Sequence, residues 1–128
     1  MEYNKRAAVY CRVALMDENA MALQRERVLH YAAELGYTNP IVYADNGASG
    51  LSLDRPAFSA MNADIAAGTI EAVIVHSISR IGRSPTETLS WVDKLKSKGI
   101  VLKAWDGSLD RDNNPALKLI RDVMATAA

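Results

Sequence analysis

Ile70-Glu71-Ala72-Val73-Ile74-Val75 is apolar at five of six positions and rich in β-branched side chains, with Gly68 before it and the polar His76-Ser77 after it. A run this short and this continuously apolar predicts a strand buried on both faces, as in a parallel sheet covered by helices. Working outward, the flanking segments alternate between two periods. Before the strand, Asp54 as N-cap and Pro56 in the first turn predict a helix carrying Phe58, Met61 and Ile65 on one face and ending at Gly68. After it, Ser84-Pro85-Thr86-Glu87 has a Ser N-cap, Pro at N1 and Glu at N3, and predicts a helix to about Lys98 that stops at Gly99.

Further out the alternation continues. Ala7–Val13 reads as a strand, Ala20–Leu35 as a helix stopped by Gly36, and Ile41–Tyr43 as a strand followed by the loop Ala44–Gly50. Ile100–Trp105 reads as a fourth strand, and Asn114-Pro115 opens a last helix through Leu117, Ile120 and Met124. Strand and helix repeats joined by right-handed crossovers predict an α/β fold with a mainly parallel sheet of about four strands covered by helices. Residues 1–128 are expected to form a single domain, because a chain that is 49% hydrophobic can bury one core but is too short for two.

Fifteen basic and fifteen acidic side chains cancel, so net charge argues for no particular partner. Between His76 and Lys103, however, six Lys and Arg face two acids, Glu87 and Asp93. The three lysines of the Ser84 helix are expected on its solvated face. No apolar run reaches the roughly 18 residues of a membrane span, the polar start lacks a secretory pattern, and a cytoplasmic location is expected. Lone Cys11, with only His30 and His76 beside it, excludes an internal disulfide and gives no metal-ligand spacing. Cys11 is expected in the core, and both histidines in structural or surface roles without a carboxylate partner. Without a Walker-type or dinucleotide-binding glycine pattern, no nucleotide cofactor is expected.

In a parallel sheet, ligands meet the loops at the carboxyl ends of the strands. Collected there are Arg12, Asp45, Ser49, Ser79, Arg80 and Arg83, with Arg55 from the following loop. Converging guanidinium groups suit bidentate contact with phosphate oxygens. The bland alternative has each arginine tying down a loop or pairing with Asp45, Asp54 or Glu87.

Tyr10-Cys-Arg-Val13, Gln24, Tyr43-Ala-Asp-Asn-Gly-Ala-Ser-Gly50, Asp54-Arg-Pro-Ala-Phe58 and Ser79-Arg-Ile-Gly-Arg83 together resemble, from about Arg6 onward, the catalytic domain of the serine recombinases, the resolvase and invertase family. That resemblance implies a DNA strand-exchange enzyme with a serine nucleophile, a transient phosphoserine link to DNA, and no metal or energy cofactor. It also implies a site comprising Arg12, Arg55, Arg80 and Arg83 around the scissile phosphate, with Gln24 and Asp45 nearby, and a role in DNA recombination, integration or transposition.

Three departures qualify it. The family usually reads Arg-Val-Ser-Thr where this chain has Arg12-Val13-Ala14-Leu15, and alanine has no oxygen to attack phosphorus. Ser79 stands where the family usually has Asp, which removes a candidate for proton handling or arginine positioning. By the resemblance, the residues from Asn114 to Ala128 are expected to form only the start of the family's long dimerisation helix. No nearby hydroxyl (Ser49, Ser77, Ser79, Ser84 or Tyr10) is expected to replace the nucleophile. The sequence therefore predicts a recombinase-type domain that is inactive as written, a pseudoenzyme that binds DNA phosphates weakly and pairs with itself or with an active recombinase. The alternative is a non-catalytic interaction or regulatory module on the same fold.

Overall fold

The computed structural model describes residues 6–47, 55–82 and 84–109. Among them four parallel strands, β1 (Arg6–Val13), β2 (Ile41–Asn46), β3 (Ile70–Val75) and β4 (Val101–Ala104), form one sheet in the order β2-β1-β3-β4. Three helices connect them: α1 (Glu18–Glu34), α2 (Pro56–Ala66) and α3 (Pro85–Ser97). A single 3-10 turn, η1 (Ile78–Arg80), follows β3. This is the parallel, helix-covered sheet that the alternating pattern predicts.

Alternation along the strands divides the core into two layers. Ala8, Tyr10, Val73 and Val75 pack with Met61 and Ile65 of α2 and Leu95 of α3 on one face. Ala7, Val9, Cys11, Ala72 and Ile74 pack with Met21, Val28 and Ala32 of α1 on the other. Val73, Ile74 and Val75 are wholly buried, as the reading of Ile70–Val75 requires. Cys11 is equally buried, and burial pushes its thiol up to about 12. Lys94, Lys96 and Lys98 are exposed on α3.

Several local expectations are corrected. β2 runs three residues past Tyr43, because parallel pairing continues through Arg12↔Asp45 and Val13↔Asn46. Asp45 therefore belongs to a strand and is buried. β4 is shorter than expected, and its successor Trp105 already lies in a turn. At the start of α2 the N-cap position is Arg55, not Asp54, and its side chain makes no capping bond. His30 does have a carboxylate neighbour, Glu34 one turn on at 3.7 Å, although both are exposed. Ser84 caps α3 as expected, accepting from the Glu87 amide at 3.5 Å. Ser49, Asp54, Arg83 and the helix expected from Asn114 lie outside the described residues.

Candidate active site

β1 delivers Arg12 to the carboxyl edge of the sheet, and the last β1–β3 pair is Tyr10↔Val75. Beyond that pair the main chain of Arg12 has no β3 residue beside it, and Gln24 of α1 takes the strand's place. Its amide Oε1 accepts from the Arg12 N–H at 2.9 Å, and its Nε2 donates to the Arg12 carbonyl at 3.1 Å. Gln24 is buried, so this two-point clamp fixes where Arg12 leaves the sheet.

The guanidinium of Arg12, itself buried, crosses to η1. Its Nε donates to the Arg80 carbonyl at 2.9 Å and its Nη2 to the Ser79 carbonyl at 2.6 Å. Arg80 reciprocates through Nη1 to the Arg12 carbonyl at 3.3 Å. Arg55 approaches the same turn from the start of α2, with Nη1 donating to the Ile81 carbonyl and the guanidinium carbon 4.1 Å from the Phe58 ring centroid. Arg12, Arg55 and Arg80 are thus gathered on the segment from Ser79 to Ile81. The Nε atoms of Arg55 and Arg80 are buried without a hydrogen-bond partner, so donor capacity in the cluster is left unspent.

Asp45 performs a task that sequence reasoning assigned elsewhere. Its carboxylate accepts from the amides of Ala57 at 2.9 Å and Phe58 at 3.0 Å, and from the Tyr10 hydroxyl at 2.8 Å. These are the orphan amides of the first turn of α2, so a residue from β2 supplies the cap that Arg55 cannot. Asp45 thereby anchors the helix end from which Arg55 reaches the cluster. Burial, reinforced by the Asp45 carboxylate, raises the Tyr10 phenol well above its ordinary range and keeps it a neutral donor.

Ala14 follows β1 directly, two residues after Arg12, and is half-buried. Its loop is pinned to the end of β2: the Gly47 amide donates to the Val13 carbonyl at 2.7 Å, and the Asp17 amide to Asn46 Oδ1 at 2.9 Å. Gly47 has φ +95°, and a Cβ there would come within 3.4 Å of Met16 Cβ, so the loop rests closely on this glycine. Leu15 and Met16 nonetheless project outward, 83% and 76% exposed. Ser79 is exposed, and its hydroxyl lies 2.6 Å from that of buried Ser77.

Sequence reasoning missed the cap from Asp17 to α1, where Oδ1 accepts from the Ala20 amide at 3.0 Å. An Asp before Glu18 was the available cue. Among the described residues, no group of three or more His, Cys, Asp or Glu could hold a metal ion. No described helix is long and apolar enough to cross a membrane.

A parallel four-stranded sheet with helices on both faces and arginines gathered at its carboxyl edge defines the class: the fold is that of the serine recombinase catalytic domains. The N-terminal catalytic domain of TP901-1 integrase is similar at a TM-score of 0.76 and 26% identity, over 96% of this chain and 93% of that one. A resolvase family site-specific recombinase from Streptococcus pneumoniae shares the fold at a TM-score of 0.74 and 23% identity, over 96% and 87% of the two chains. So does the C-terminal catalytic domain of ISC1926 TnpA, an IS607-like serine recombinase, at 0.70 and 24% over 94% and 80%. No curated protein matches the chain by sequence. The Resolvase, N terminal domain family matches residues 7–128, and the chain belongs to that family.

Proposed function

We propose that the chain is a serine recombinase catalytic-domain fold, from a DNA recombination system, that binds a DNA phosphate at its arginine cluster but forms no covalent link to DNA. The observation that carries this reading is the gathering of Arg12, Arg55 and Arg80 on the segment from Ser79 to Ile81. Clustered guanidinium groups are suited to phosphate oxygens. Arg83 would complete the set in family members. The position matching the family's nucleophile is Ala14, whose methyl group cannot attack phosphorus. Ser79 supplies no carboxylate to orient an arginine or hold a proton. No cofactor is required by this reading, and the companion molecule is a second copy or an active recombinase.

Fluorescence anisotropy with duplex DNA tests it. Binding should be weak and indifferent to sequence, because only a few phosphates can be neutralised by a chain of zero net charge, and it should weaken further as salt rises. Tight, site-specific binding would contradict it. Leu15 and Met16 favour a second reading, in which the same edge of the sheet docks a protein through exposed apolar side chains. Association of that kind would persist at high salt.

A further inference from the structure

Beside the arginine cluster, on the α1 side of the sheet, an aromatic and cationic group lies outside the machinery described above. His76, the residue after β3, stacks on Trp105 with ring centroids 4.8 Å apart and planes 20° from parallel. Arg27 of α1 sits over the Trp105 ring, its guanidinium carbon 5.0 Å from the centroid. Trp105 is 42% exposed. The β3–β4 register sets Lys103 opposite Ile74, a residue of the α1-side core, so exposed Lys103 rises from the same face.

Among the described residues, neither Arg27 nor Lys103 has a carboxylate or hydrogen-bond partner. The nearby acid, Asp106, accepts from the Ser108 amide at 2.9 Å. Trp105 is only partly covered, and the contact of Arg27 is with its ring and not with a carboxylate. The group also adjoins the cluster in the chain, since His76 directly follows β3 and η1, which carries Arg80, begins two residues later.

We propose that Arg27, Lys103 and Trp105 form a second DNA-contacting patch that takes the backbone of the strand running off the arginine cluster across the α1 side of the sheet. The two cations meet successive phosphates, and the exposed edge of the indole packs against the intervening sugar. Arg27 is free to exchange its weak contact over the exposed ring for a phosphate. The inference rests on the reading of the arginine cluster as a DNA phosphate site, and charge selects DNA over an apolar partner here.

The test uses the full chain carrying Trp91→Phe, which leaves Trp105 as its sole tryptophan, and a short duplex of arbitrary sequence. Adding duplex at low salt should change Trp105 emission in step with anisotropy. Arg27→Gln with Lys103→Gln, both at exposed positions, should weaken low-salt binding several-fold and flatten the salt slope by about 2, close to one unit per phosphate lost. Arg80→Gln serves as the reference for the cluster itself. If Arg80→Gln weakens binding while the double variant leaves affinity and slope unchanged, the patch is refuted and the cluster reading stands. If the unmodified chain binds no DNA at low salt, both fall together. Trp105 emission that responds to protein concentration but not to DNA would make this face a contact between copies and overturn the proposal.

Discussion

Asp45 shows how one side chain can be assigned to the right place for the wrong reason. The sequence collects it among the polar residues at the carboxyl edge of the sheet, and its hydrogen bonds there serve folding: two helix amides and one phenol. Asp45→Ala should cost about 2 to 3 kcal/mol, the sum of a lost helix cap and buried donors left unsatisfied. Tyr10→Phe should cost about 1 kcal/mol, since it removes one hydrogen bond and keeps the ring against Phe58, 5.1 Å away between centroids. Urea denaturation measures both, and a neutral Asp45→Ala would refute the capping role. His76 gives a pH dependence with a definite sign. Burial lowers its pKa, Arg80 and Arg27 push the same way, and Asp106 opposes them. The unfolded chain therefore binds more protons than the folded chain between the depressed value and the ordinary value near 6.5. Stability should fall as pH drops through that window, and His76→Gln should flatten the fall in melts taken between pH values of about 7.5 and 5.

At the scale of elements, legibility follows from how local each cause is. Ile70–Val75 announces a strand buried on both faces because its own composition requires it, and Ser84 announces α3 because its cap lies within four residues. The end of β2 is hidden, since Ala44-Asp45-Asn46 has turn composition and is held extended by its pairing with β1. The start of α2 is obscured for a related reason: its cap comes from Asp45, a strand away. The arginines can be placed at one sheet edge from the strand order alone, but their convergence on η1 depends on carbonyls that no side-chain pattern reveals. Gln24 ties these levels together, as a helix residue that substitutes for a missing strand. Gln24→Leu preserves bulk but leaves the Arg12 N–H without that acceptor, so a loss of about 1 to 3 kcal/mol is expected. Amide exchange should quicken at Arg12 while the middle of β3 stays protected; uniform quickening would mean that Gln24 serves general stability only.

For the whole molecule, the proposed reading raises the question of whether the arginine cluster can support phosphoryl transfer once position 14 carries an attacking oxygen. The unmodified chain should form no denaturant-resistant adduct with DNA, because Ala14 offers no oxygen and, among the described residues, Tyr10 is hydrogen-bonded to Asp45 and Ser77 to Ser79. Ala14→Ser alone should recover little. Arg12, which the family places at the scissile phosphate, here donates to the Ser79 and Arg80 carbonyls, and no carboxylate at position 79 competes for it. Ala14→Ser combined with Ser79→Asp supplies both the attacking oxygen and a carboxylate on the segment whose carbonyls Arg12 contacts. Joined to the dimerisation helix and DNA-binding region of an active relative, that double variant is the decisive chain to assay. An adduct that survives denaturant, and that is lost when position 14 of the repaired chain is returned to alanine, would show that the arginine cleft still supports phosphoryl transfer. A repaired chimera that folds and binds DNA yet forms no adduct would place the defect in the cleft itself and shift weight to the interaction reading carried by Leu15 and Met16. Adduct formation by the unmodified chain would overturn the inactive reading outright, and the residue found on the DNA would identify the true nucleophile.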